Sequence, residues 1–289
     1  MADQHADPVA DTSEPPKKAS RAGRNLPAAI GVGVVLGALA IGILLFWPIG
    51  WLAVLAVFIA IAIHEVIRRL REAGYALPVI PLMLGGQAMI WLTYYGPAGM
   101  LGAYGGTIVV CMVWRLVGRG PREQPENFLR DISATVLLAT WVPLFASFSA
   151  LLIFQDHGGA RTFTVIATVV FADIGGYVAG VLFGKHLMAP AISPKKSWEG
   201  LGGSLLFGTT AAVLSVTFLM DRPPWVGVPL GLMLVITGVL GDLVESQVKR
   251  DLGIKDMGTL LPGHGGIMDR IDAMLPSAVA GWIVLTVLA

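Results

Sequence analysis

WVGVPLGLMLVITGVLGDLVE, residues 225–245, decides the architecture. Nothing ionisable occurs before Asp242, and about 20 residues rising ~1.5 Å each cross a hydrocarbon layer of about 30 Å as a helix. Comparable apolar runs fall at 27–46, 49–67, 76–95, 98–117, 132–154, 162–183, 201–220 and 273–289. The expected fold is therefore all-α: a polytopic transmembrane helical bundle of about nine spans. Two boundaries rest on turns, at Trp47-Pro48 and at Gly96-Pro97. Composition agrees. Of 289 residues 55% are hydrophobic and 13% charged, against about 25% charged in soluble domains, which argues against a soluble globular enzyme. A net charge of +1 gives no sign of a nucleic-acid partner. Cys111 is the only cysteine and sits in an apolar run, where packing is its expected role.

Charge placement sets the orientation. With the amino terminus cytoplasmic, 18 of the 20 Lys and Arg residues fall on the cytoplasmic side and only Arg161 and Arg222 outside, as cytoplasmic enrichment in cations requires. Residues 1–26 mix acidic and basic side chains with Ala, Pro and Ser and have no apolar face; they read as a disordered cytoplasmic tail, not a cleaved leader. The two longest late loops then face the cytoplasm, within reach of its nucleotides.

Apolar spans exclude carboxylates unless something compensates. Asp173 in FADIGGY and Asp242 and Glu245 in GVLGDLVES therefore mark functional positions. Asp242, Glu245, Ser246 and Lys249 follow i, i+3, i+4, i+7, which puts them on one helix face. His64 and Glu65, ahead of Arg68, read as helix-end residues in the headgroup zone, since no second spaced histidine completes a zinc-protease motif.

The segment GKHLMAPAISPKKSWEG, from Gly184, gathers Lys185, Lys195, Lys196, Ser193, Ser197 and Glu199. Lysines and hydroxyls suit phosphate oxygens through charge-assisted and neutral hydrogen bonds. From Ser246 to Asp272 the chain reads SQVKRDLGIKDMGTLLPGHGGIMDRID. Its glycines, Gly265 and Gly266 among them, let backbone N–H groups approach an anion. Asp242 and Asp269 flank this loop with hard oxygens of the kind Mg2+ uses while it holds substrate phosphates.

Both segments resemble the phosphatidate cytidylyltransferases, or CDP-diacylglycerol synthases. The family pattern is met by Ser246, Lys249-Arg250, Lys255-Asp256, His264-Gly265-Gly266, Asp269-Arg270 and Asp272 without a gap, and upstream by Asp173, Tyr177, Gly180, Gly184-Lys185, Ser193 to Ser197 and Glu199-Gly200. Gly176 and Ser197 depart mildly from it, keeping small size or a hydroxyl. The likeness covers about residues 170–272, dividing the chain into the tail, N-terminal membrane helices at 27–160 and a C-terminal catalytic membrane region at 161–289.

The resemblance implies transfer of the cytidylyl group of CTP to phosphatidate, giving CDP-diacylglycerol and pyrophosphate, with one or two Mg2+ ions on Asp242 and Asp269. Lys195, Lys196, Lys249, Arg250, Lys255 and Arg270 are expected to bind phosphates, Ser193, Ser197 and His264 to donate hydrogen bonds, and Asp256 and Glu199 to orient them. Asp173 suggests a polar cavity entering the bilayer. The expected setting is the cell membrane, with the active site facing the cytoplasm and a homodimer as the candidate assembly. Two rivals stand beside this: a CTP-dependent kinase of polyprenols or related lipid alcohols, and a membrane transporter.

Overall fold

The computed structural model describes residues 37–118, 126–260 and 265–288. The tail 1–26, the first part of the expected span 27–46, and His264 lie outside the described residues. Helices α1 (Gly37–Phe46), α2 (Trp51–Glu72), α3 (Val79–Trp91), α4 (Gly96–Val117), α5 (Phe128–Ala139), α6 (Phe145–Ile153) and α7 (Gly158–Phe183) lead to a small hairpin, β1 (Leu187–Ala189) and β2 (Ser193–Ser197). Then come α8 (Trp198–Leu219), α9 (Pro224–Asp251), the short α10 (Met268–Ile271) and α11 (Met274–Leu288).

Seven stretches among the described residues are long and apolar enough to cross a membrane, which makes this a multi-pass helical membrane protein. The expectation of about nine differs for two local reasons. The first span is described only from Gly37, as a ten-residue helix. The expected spans at 76–95 and 98–117 fall in one run of 39 residues, Val79–Val117. That run doubles back. Gly96 has φ +72° and ψ −165°, a backbone region essentially reserved for glycine, and α3 returns along α4 so closely that a methyl on Gly85 would collide with Thr107. α3 has 13 residues, about 20 Å, and a 3-10 turn over Leu92–Tyr95 carries the chain on to Gly96, where Tyr94 packs against Phe154 at the end of α6.

Between α5 and α6 the ladder widens into a π-turn over Thr140–Leu144 that contains Pro143. Proline has no N–H to give to the ladder, and such a bulge absorbs the loss. The C-terminal helices pack through small residues: a Cβ on Gly175 of α7 would strike the Gly203 backbone of α8, and one on Gly231 of α9 would strike Thr209 of α8. Side chains this small let helix backbones close up where lipid supplies no hydrophobic drive. Cys111 is buried in packing, as expected.

The segment from Gly184, expected to be an irregular loop, instead pairs Leu187 with Ser197 and Ala189 with Ser193 in antiparallel register. Ser197 leaves the strand as the N-cap of α8, its Oγ accepting from Gly200 N at 3.1 Å. The hairpin thereby fixes Lys195 and Lys196 at the entrance of α8.

Candidate active site

The cations among the described residues sort by end of the bundle. Arg161 and Arg222 lie together at the end opposite the hairpin, with Arg161 buried and donating to Leu285 O at 2.7 Å and Gln155 Oε1 at 2.9 Å. The other end holds the hairpin, the C-termini of α2, α7 and α9, and the loop that leads into α10.

There a cavity of about 490 Å³ opens between α7, α8, α9 and the α10 region. Asp173 and Tyr177 of α7 line one wall, Ser193, Lys195, Lys196 and Ser197 of β2 another, and Asp242, Glu245 and Lys249 of α9 a third, with Asp256, Asp269, Arg270 and Asp272 closing it. The helical spacing read from the sequence holds, because α9 continues unbroken to Asp251. Ser246 Oγ donates to Asp242 Oδ1 at 3.3 Å and Lys249 Nζ to Glu245 Oε2 at 2.6 Å, each across one turn.

Two lysines organise the acids. Lys196 Nζ lies 2.6 Å from Asp242 Oδ2 and also donates to Val239 O at 3.3 Å, so β2 is tied to α9. Lys249 Nζ bridges Glu245 and Asp269 Oδ1, the latter at 3.0 Å. Asp269 is further held by backbone: Met257 N donates to its Oδ2 at 3.0 Å and Gly266 N at 2.8 Å. Gly265 has φ +80°, a conformation that glycine adopts freely, and it turns the chain so that Gly266 N meets Asp269. The Asp272 backbone lies close against α9, since a methyl on Gly241 would collide with the Asp272 carbonyl.

Some expected site residues fall elsewhere. Arg250 is exposed and donates toward Ile192 O at 3.4 Å, and Lys255 does not line the cavity. Glu199 accepts from His186 Nδ1 at 2.6 Å and from the Lys185 and His186 backbone N–H groups at 3.2 Å. It fastens the hairpin to α8 without lining the cavity. Gly265 and Gly266 shape the loop beside Asp269 and are also outside the lining.

Three further acids are buried in or behind the cavity. Glu245 is fully buried, with Oε1 unpartnered among the described residues. Asp272, the last acid of the loop pattern, is 9% exposed and faces the same cavity. Glu65, expected in the headgroup zone, is buried instead against the loop before α10. A lone Glu near a helix end carries no local signal for such a contact.

Among the described residues, no group of three His, Cys, Asp or Glu side chains is gathered as a ready-made metal site. The donor chemistry nonetheless fits a hard cation. Six carboxylates among the described residues line the cavity against four cationic side chains.

Comparison with known proteins gives the family. The model of the cytidylyltransferase family matches residues 27–288. A phosphatidate cytidylyltransferase of Mycobacterium bovis is 56% identical over 284 residues, covering 95% of this chain and 93% of that one. The similarly named protein of Mycobacterium leprae is 57% identical over 284 residues, 94% and 91% of the two chains. That of Haemophilus influenzae is 42% identical over 123 residues, 41% of this chain and 43% of its own. With nearly the whole chain matched and the charged cavity built from its C-terminal helices, the protein belongs to the cytidylyltransferase family.

Proposed function

We propose that the protein transfers the cytidylyl group of CTP to phosphatidate, forming CDP-diacylglycerol and releasing pyrophosphate for phospholipid synthesis. The observation that carries this reading is the single cavity in which the Lys196–Asp242 and Lys249–Asp269 pairs meet Asp173 of a membrane-spanning helix. Such a site can hold a charged headgroup at its mouth while acyl tails remain in hydrocarbon. The names of the relatives support the substrates.

A phosphate monoester loses its second proton near pH 6, so the lipid phosphate is already a dianionic nucleophile at neutral pH. Its oxygen attacks the α-phosphorus of CTP in line; the bond from that phosphorus to the bridging oxygen breaks, and pyrophosphate leaves with the electron pair. No strong base is required. The obstacle is repulsion, about 4 kcal/mol for each pair of unit charges 4 Å apart at an effective dielectric of 20. Lys195, Lys196, Lys249 and Arg270 supply positive charge, and Ser193 and Ser197 stand beside them in the lining.

Lysines and arginine alone leave the lining formally negative, which favours an added cation. Mg2+ is proposed on Asp242 and Asp269, which would hold it in the cavity; when bound it would supply positive charge to offset that of the phosphates. Lys196 and Lys249, which pair with those acids, line the same cavity and would bind phosphate oxygens. The active site is proposed to face the cytoplasm, with about nine crossings in the cell membrane and the amino terminus inside. Gathering of the cations at the cavity end and of Arg161 and Arg222 at the other supports this.

The test is product identity. Detergent-purified protein is incubated with CTP, Mg2+ and either phosphatidate or a polyprenol, with a chelator control. Magnesium-dependent CDP-diacylglycerol is expected; a phosphorylated alcohol with CDP released would replace this reading by the kinase.

A further inference from the structure

The loop that presents Asp256 and Asp269 is gripped from two sides. Asp269 collects the backbone N–H groups of Met257 and Gly266 from within the cavity wall. From behind, Glu65 of α2 accepts from Ile267 N at 3.2 Å and Met268 N at 3.0 Å. Both strands of the loop neck press on this carboxylate, since a methyl at Gly258 or at Gly266 would run into it. One turn further along the same face of α2, Arg69 donates Nε to Met257 O at 2.9 Å and Nη2 to Asp256 O at 3.3 Å. Glu65 therefore takes amides and Arg69 takes carbonyls. Neither lines the cavity.

A carboxylate is costly to bury unless hydrogen bonds compensate, and an apolar side chain would join α2 to the loop at less cost. What Glu65 adds is direction: it fixes the two peptide N–H groups immediately before Asp269. Groups that orient a reacting shell act in this way, and small misplacement of that shell costs rate steeply. We infer that Glu65, assisted by Arg69, is a positioning residue for the transfer reaction, setting Asp269 and Asp256 from the N-terminal half of the chain. This rests on the cytidylyl-transfer reading of the cavity.

The experiment uses the full-length protein in lipid nanodiscs. Glu65→Gln offers one accepting oxygen and turns an amide donor toward the second N–H. Expected is a fall in kcat of about 10–100-fold with KM for CTP held within about threefold. Hydrogen exchange is expected to quicken at 265–269 while α7 and α8 exchange as before. Unchanged kcat, or exchange that rises uniformly through the bundle, overturns the assignment. If Glu65→Gln does not purify folded, Arg69→Lys keeps the charge but loses the two-carbonyl grip. A loss of about 3–10-fold in kcat with quicker exchange at 256–258 then supports the inference, and wild-type behaviour overturns it. A parent protein that makes no CDP-diacylglycerol overturns the functional reading itself, an outcome distinct from an active parent with an equally active variant.

Discussion

Lys249 donates to Asp269 across 3.0 Å, a bond that joins the C-terminal turn of α9 to the start of α10, twenty residues later. The same ammonium group neutralises Glu245, which has no exposed surface. One side chain thus anchors the loop and offsets the charge of a buried acid.

Removing it separates those duties. Lys249→Met leaves Glu245 uncompensated and is expected to lower stability by about 3–5 kcal/mol, as when one partner of a buried ion pair is deleted. Adding Glu245→Gln should restore most of that stability, read by denaturant or thermal unfolding in detergent. Activity should stay absent in both. Recovered activity in the double variant would show that Lys249 serves the fold alone.

Asp242 makes the opposite case. Its pair with Lys196 is partly exposed, 39% and 20% for the two side chains, so Asp242→Asn should change stability by less than about 1 kcal/mol. Turnover should fall at least about a hundredfold, with the remaining activity needing more Mg2+. Normal turnover at the parent's Mg2+ requirement would remove Asp242 from the proposed cation site.

Gly96 tests the fold apart from the chemistry. Alanine there must adopt a backbone conformation that only glycine holds without strain, at a cost of about 1–3 kcal/mol. Gly96→Ala should therefore melt earlier while kcat per folded molecule is unchanged. A stability equal to the parent's would mean that α3 and α4 are not joined by this turn.

Much of the site was legible because it is local. Asp242, Glu245, Ser246 and Lys249 sit on one face by spacing alone, and α9 carries that face to Asp251 without a break. Lys195, Lys196 and Ser197 are neighbours in sequence and line the cavity together, but their hairpin has no such local signal. Strand pairing over three to five residues leaves no hydrophobic alternation to detect. Span counting faltered where hydropathy is blind to direction: Val79–Val117 is apolar throughout, and only the backbone at Gly96 turns it back. Glu65 was illegible for a different reason. Its partners, Ile267 and Met268, lie about two hundred residues away, and nothing around His64-Glu65 announces them. Arg250 and Lys255 show the converse, since belonging to a loop pattern does not place a side chain in the cavity.

The position of the transferred phosphorus tests the central claim most directly. Purified protein, Mg2+ and phosphatidate are supplied with CTP labelled either at the α- or at the γ-phosphorus, and the lipid and aqueous phases are counted separately. The account predicts α-label in the lipid as CDP-diacylglycerol and γ-label in water as pyrophosphate, with both transfers lost in Asp242→Asn. Label from the γ-phosphorus in the lipid, or α-label entering it equally well in that variant, would contradict it.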